Sequence, residues 1–231
     1  MKIHRFIGDF DLTKAEITII ERDIVKQIRN VLKLEEGEEI TLSDGHGNEA
    51  RVVILSIFSD KVVCKIIENN KNEDSVRKVS LYLAVLKKDN FELAVQKATE
   101  CGVSEIIPVI TDRTIKTGLN FERLQKIVKE ASEQSGRSIV PEISEMMNFT
   151  DALKNGKESN EKIIFHLVDE EYGSDKNANS VSIFIGPEGG FTDKEIDLAK
   201  NSGYHVASLG SLTLRGETAA IISTYRAVQG I

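Results

Sequence analysis

The feature that most constrains this 231-residue chain is a change in the rhythm of its apolar residues near position 72. Beyond it, short and almost unbroken apolar runs alternate with stretches of helical periodicity. The runs are 79–86, 106–110, 163–168, 181–185 and 205–209. A run that is apolar on both faces suits a strand covered on both faces. Phe91, Ala94, Val95 and Ala98 follow the first run at helical spacing, with Gly102 as a stop. Asn120 caps a second stripe of Leu124, Ile127, Val128 and Ala131. Thr192 and Glu195 make a capping-box pattern for a helix ending at Gly203, and a last helix runs from about 217 to 228. Strand–helix alternation predicts a mostly parallel sheet with helices on both faces.

Before position 72 the pattern is different. Residues 38–43, 51–58 and 61–67 are β-branched runs separated by the turn-forming stretches 44–48 and 59–60. One helix interrupts them, predicted over 22–34 with Ile24, Ile28, Val31 and Leu32 on one face and Gly37 beyond its end. Many short strands with one helix indicate a small barrel-like β domain. Residues 68–75 are polar and predict a linker, so the expected division is 1–72 and 73–231.

Composition closes off several classes of function. With 40% hydrophobic and 29% charged residues, the chain has the balance of a soluble globular protein. None of its apolar runs approaches the ~20 residues that span a bilayer, and the first residues lack a secretion signal. Cys64 and Cys101, with four histidines scattered elsewhere, predict neither a disulfide framework nor a metal site. A cytoplasmic location without membrane attachment is expected. The net charge is −7, yet residues 77–140 are net basic and residues 141–231 net acidic. Local basic stretches can hold phosphate on an acidic protein, because screening confines fields to roughly 10 Å.

Ligands of open α/β sheets sit beyond the carboxyl ends of the strands. One such end is Gly186-Pro187-Glu188-Gly189-Gly190-Phe191-Thr192, whose glycines let backbone approach a ligand. It is neither a Walker loop nor a dinucleotide fingerprint. A second runs from Gly210 through Ser211-Leu212-Thr213-Leu214 to Arg215-Gly216-Glu217-Thr218. Glu217 there also favours a helix dipole, whereas Arg215 stands between an apolar stretch and a glycine. The third follows 163–168 and contains His166, which equally suits a satisfied core position.

Together these segments resemble the RsmE family of the SPOUT superfamily, methyltransferases acting on N3 of a uridine in 16S rRNA. The resemblance rests on Ile185-Gly186-Pro187-Glu188-Gly189-Gly190-Phe191-Thr192, on Leu209-Gly210, and on Leu214-Arg215 with Glu217-Thr218-Ala219-Ala220. It extends to Gln96-Lys97-Ala98-Thr99-Glu100-Cys101-Gly102-Val103, to residues 130–137 with Val140-Pro141, to His4-Arg5-Phe6, and to Val31-Leu32-Lys33-Leu34 with Gly37. It covers nearly the whole chain in order. It implies a PUA-like RNA-binding β-barrel followed by a SPOUT-type α/β domain with a C-terminal deep trefoil knot, acting as a homodimer. S-adenosyl-L-methionine would be held by His166, Leu167, Ile185, Gly186, Pro187, Glu188, Gly189, Gly190, Leu209, Gly210, Leu212, Leu214, Gly216 and Thr218. Where the family usually has Leu-Gly-Pro-Arg before its second arginine, this chain has Leu209-Gly210-Ser211-Leu212, and Gly216 replaces a threonine.

The implied chemistry is methyl transfer to a weakly acidic nitrogen, dominated by positioning and electrostatics. Arg215 is the candidate for stabilising charge that develops on the uracil, with Glu217 or Glu188 accepting the proton or holding Arg215. Arg5, Arg29, Lys33, Arg113 and Arg137 are candidate contacts to the rRNA of the 30S subunit. A SPOUT enzyme with another target nucleotide, or an RNA-binding descendant without catalysis, stays open as an alternative.

Overall fold

The computed structural model describes residues 3–73, 75–115 and 118–231. It divides into two compact units. The first comprises the chain up to residue 74 together with Ser132–Val140, and the second comprises Ser75–Ala131 and Pro141–Ile231. The return of residues 132–140 to the first unit has no counterpart in the sequence pattern. Its basis is hydrogen bonding: Glu133 accepts from the Ile7 amide at 2.8 Å, and the Ser138 carbonyl accepts from the Gly47 amide at 3.1 Å.

The first unit is a five-stranded sheet in the order β1 (His4–Ile7), β3 (Glu39–Ser43), β4 (Asn48–Ile57), β5 (Val62–Lys71), β2 (Glu16–Ile19). Only the β1–β3 pair is parallel. Alternating side chains from these strands, among them Phe6, Ile19, Ile40, Leu42, Val52, Ile54 and Val62, bury one core. Two expectations change here. The polar stretch 68–71 is not linker but the end of β5, paired antiparallel with 48–51. Backbone ladders need no apolar side chain where both faces meet water, which is why composition misled; Asp74 in the same stretch lies outside the described residues. The helix predicted over 22–34 is α-helical only as α1 (Arg22–Lys26), and Gln27–Leu32 form a π turn. The wider turn rotates Val31 out to 67% exposure while Leu32 packs on the core. Lys33 then closes the turn in the left-handed region at φ 53°.

The second unit is a parallel sheet in the order β12 (His205–Ala207), β10 (Glu161–Phe165), β11 (Ser180–Ile185), β6 (Lys78–Ala84), β7 (Glu105–Ile110), β8 (Glu142–Ile143), with β9 (Met147–Asn148) also on β7. Ile163 pairs with Ile183, Ile183 with Leu81 and Leu81 with Ile106, so the predicted apolar runs form the buried centre. Helices α2 (Lys88–Cys101) and α6 (Gly216–Gln229) pack together, and α6 also covers β6 and β11. Helix α4 (Phe149–Asn155) lies on β7 and α5 (Asp193–Asn201) on β12, while α3 (Phe121–Ser135) begins in this unit. Tyr82 stacks on Phe184 at 4.3 Å between ring centroids, and Phe149 packs edge-on against the same ring. Asn120 caps α3 through the Arg123 amide at 3.0 Å, and the capping box of Thr192 and Glu195 starts α5, both as the sequence predicts.

Just past β12 the chain is hydrogen-bonded to the β10–β11 connection. Ser208 donates its amide to the Glu170 carbonyl at 2.8 Å and accepts from the Tyr172 amide at 2.9 Å. Arg77 holds that connection and the last helix at once. Its guanidinium donates to Glu161 Oε2 at 2.8 Å, Ser174 Oγ at 2.6 Å, the Asp175 carbonyl at 2.8 Å and the Ala227 carbonyl at 2.5 Å. These contacts make β12, the connection and the end of α6 mutually dependent.

Candidate functional site

Beyond the carboxyl ends of β10, β11 and β12 lies a cavity of about 650 Å³, within the range of small-molecule sites. Its wall is built from residues 165–167, 185–191, 209–210, 212–217 and 219, with Lys87 and Asn90 added from the start of α2. All belong to the second unit. The three loops that the sequence singled out therefore meet at one place, because β11, β10 and β12 are neighbours in the sheet. Of the residues expected to hold a cofactor, only Thr218 is absent from the wall. Lys87 and Asn90 went unnoticed in the sequence, although they follow β6, which pairs with β11. The signal that could have found them is the rule of strand ends itself.

The 186–191 loop is closed by the Gly190 amide, which donates to the Pro187 carbonyl at 2.8 Å. Gly210 sits at φ +114°, a conformation side chains other than glycine rarely adopt, with open space around it. Gly216 is close-packed instead: a Cβ there would lie 2.8 Å from Leu86 Cδ2. The chain's departure from threonine at this position thus coincides with a tight approach of α6 to the end of β6.

Four charged residues line the wall, Lys87, Glu188, Arg215 and Glu217. Arg215 is the N-cap of α6 and is exposed, with no ion-pair partner among the described residues. Glu217, in the first turn of α6, is 7% exposed, and its Oε2 is buried with no hydrogen-bond partner among the described residues. A buried carboxylate oxygen without a donor is costly, so its presence on the wall fits a ligand that brings a hydrogen-bond donor or positive charge. Glu188 is exposed, and its Oε1 accepts from the Lys87 amide at 3.1 Å, which ties the β11 loop to the start of α2. His166 lies just past β10, half-buried, with its amide on the Ala207 carbonyl at 3.0 Å. Among the described residues no group of three or more His, Cys, Asp or Glu could hold a metal, and no helix is long and apolar enough to cross a membrane.

The five candidate RNA contacts are divided between the two units. Arg5 pairs with Glu49 inside the first unit. Arg137 is half-buried, donates to the Ile139 carbonyl at 3.1 Å, and burial pushes its pKa down. Arg29 donates to the Ser59 carbonyl at 3.1 Å while remaining exposed, and Lys33 is exposed. Arg113 belongs to the second unit and donates to the Gly189 carbonyl at 2.6 Å.

Comparison with known proteins agrees with this geometry. Residues 72–227 match the RNA methyltransferase domain and residues 15–67 the RNA methyltransferase PUA domain. The ribosomal RNA small subunit methyltransferase E of Rickettsia conorii is 32% identical over 232 residues, covering 96% of this chain and 93% of that protein. Its counterpart from Bacillus subtilis is 30% identical over 233 residues, covering 91% of each. The crystal structure of the Neisseria gonorrhoeae enzyme of that name, bound to S-adenosyl methionine, is similar with a TM-score of 0.87 at 28% identity, over 96% of this chain and 95% of that one. The α/β unit with its preceding PUA-like β domain, the loops at the strand ends and these matches together establish that the chain belongs to the ribosomal RNA small subunit methyltransferase E family of RNA methyltransferases.

Proposed function

We propose that this protein transfers a methyl group from S-adenosylmethionine to N3 of a uridine in the 16S rRNA of the small ribosomal subunit. The observation that carries the reading is the unpartnered, buried Oε2 of Glu217 on the wall of a cavity framed by three strand-end loops. The ammonium and ribose hydroxyls of S-adenosylmethionine are donors of the kind that oxygen lacks, and the glycine loops offer backbone amides and carbonyls to the rest of the molecule. The names of the relatives and the ligand of the Neisseria structure support the same choice.

When bound, S-adenosylmethionine supplies a methyl group on a sulfonium, whose C–S electron pair stays with sulfur as the methyl bonds to N3. Arg215, at the N-terminus of α6, sets positive charge where O2 or O4 of the uracil gains negative charge. Glu217 or Glu188 takes the N3 proton. In our reading the exposed Lys33 and Arg29 touch rRNA phosphates, whereas the internal partners of Arg5 and Arg137 leave them less available. The hydrogen bonds of Ser208 to the β10–β11 connection support the threading of a trefoil knot. Ile222 and Tyr225, exposed at 37% and 50% on α6, support a homodimer through that helix, and a ribosomal RNA substrate makes the cytoplasm the proposed place of work.

The test is transfer of labelled methyl to 30S subunits and to naked 16S rRNA, followed by mass spectrometry of the product. N3-methyluridine at one position is expected. Label on another atom or base moves the target within the superfamily. Failure to bind S-adenosylmethionine in calorimetry would leave only an RNA-binding protein.

A further inference from the structure

The described residues 111–115 after β7 do not line the cavity, yet they are fastened to the glycine loop that does. Arg113 Nη1 donates to the Gly189 carbonyl at 2.6 Å and reaches the Phe191 carbonyl at 3.4 Å. The Asp112 amide donates to Glu195 Oε1 at 2.9 Å, and Thr192 Oγ1 donates to Asp112 Oδ2 at 3.3 Å. The same Glu195 carboxylate accepts from the Thr192 amide at 2.8 Å in the capping box, so both of its oxygens are engaged. The loop is itself closed by Thr114, whose hydroxyl accepts from the Thr111 amide at 3.0 Å and whose amide donates back to the Thr111 carbonyl at 3.1 Å. The Arg113 side chain also covers Gly189: a Cβ there would sit 3.3 Å from Arg113 Cδ and 3.5 Å from Arg113 Cβ.

We propose that Arg113 is a positioning residue for the cofactor loop, a role distinct from the RNA contact that its charge suggests. This rests on the proposed function above. A peptide carbonyl bonded to a guanidinium has its plane fixed. The amide of the Gly189–Gly190 peptide is taken by the Pro187 carbonyl, so the Arg113 bond to the Gly189 carbonyl holds the other side of the same peptide. Glycines at 189 and 190 make this turn easy to deform when only one of the two bonds is present. Arg113 therefore removes, before binding, the conformational freedom that a ligand would otherwise have to remove, and it lowers the cofactor's dissociation constant by pre-organisation. Its side chain is not part of the cavity wall. A lysine in its place keeps the charge but replaces a rigid planar donor with a freely rotating ammonium.

The test is calorimetric titration of the full-length protein with S-adenosylmethionine in the absence of RNA, together with steady-state kinetics on 30S subunits. Arg113→Ala is expected to raise the cofactor dissociation constant and KM about tenfold. kcat at saturating cofactor should stay within a few-fold of wild type, and affinity for 30S subunits and its salt dependence should not change. Arg113→Lys is expected to fall between the two. Arg123→Ala, which removes an exposed arginine paired with Glu92 on α2, should leave every parameter unchanged. Wild-type cofactor affinity in both Arg113 variants overturns the proposal. So does loss of 30S affinity with cofactor affinity intact, which would make Arg113 an RNA contact. Wild-type protein that binds no S-adenosylmethionine would instead remove the functional reading on which the proposal stands.

Discussion

At the scale of single residues, the wall of the cavity is governed by where a side chain can be tolerated. Gly210, at φ +114° with space around it, is constrained by backbone conformation alone. Gly210→Val should therefore cost about 1–3 kcal/mol of local strain and weaken S-adenosylmethionine binding roughly tenfold in calorimetry, with the far-ultraviolet dichroism unchanged. The same change at Gly189 acts through Arg113 rather than through direct exclusion of ligand. Arg215→Ala tests a different property. If its charge matters only as the uracil becomes anionic, methyl transfer falls about 10²-fold or more while both ligands bind near normally. Loss of RNA affinity with an unchanged turnover rate would make it a docking residue. These positions were legible in the sequence because glycine and arginine in apolar surroundings have few other reasons to be there. Lys87 and Asn90 were not, since nothing local to α2 says that β6 will lie beside β11. The burial of Glu217 was equally hidden: a first-turn glutamate reads as a dipole partner until its tertiary surroundings are known.

At the scale of elements, helix starts and buried strands were readable and their exceptions were tertiary. The capping box at Thr192 and the cap at Asn120 are local in sequence, and each appears where its residues place it. The π turn of Gln27–Leu32 has no such local signature, because Leu32 and Leu34 are drawn to the core of the first unit while Val31 is turned outward. The exit of that turn presents Lys33 to solvent, so Lys33→Ala should weaken 30S binding and lower the salt slope by about one ion, with cofactor affinity unchanged. Arg77 is the element-scale counterpart of a cap. It donates to groups from β10, from the β10–β11 connection and from α6, and its side chain and that of Glu161 are only 12% and 7% exposed. Removing one member of such a pair leaves a buried charge, so Arg77→Ala should cost about 3 kcal/mol or more. For a chain of this size that lowers the melting temperature by roughly 6–12 °C in calorimetry.

At the scale of the whole molecule, the sequence pattern reveals two kinds of architecture but not the excursion of residues 132–140, which no composition shift marks. Proposed dimerisation through α6 predicts twice the chain mass by light scattering at micromolar concentration. Ile222→Glu with Tyr225→Glu should give a monomer, since two half-exposed apolar side chains become charged in the same place; a wild-type monomer would refute it. The position of α6 bears also on how the protein is made. This helix covers β6 and β11 and follows every described strand of the sheet along the chain, so it leaves the exit tunnel after all of them. The parallel sheet can be complete, strand by strand, while still lacking its cover. Folding of the catalytic unit must then wait until α6 has emerged from the translating ribosome. A premature stop codon even at position 216, which would spare every strand of the sheet, should yield a chain that quality-control proteases clear.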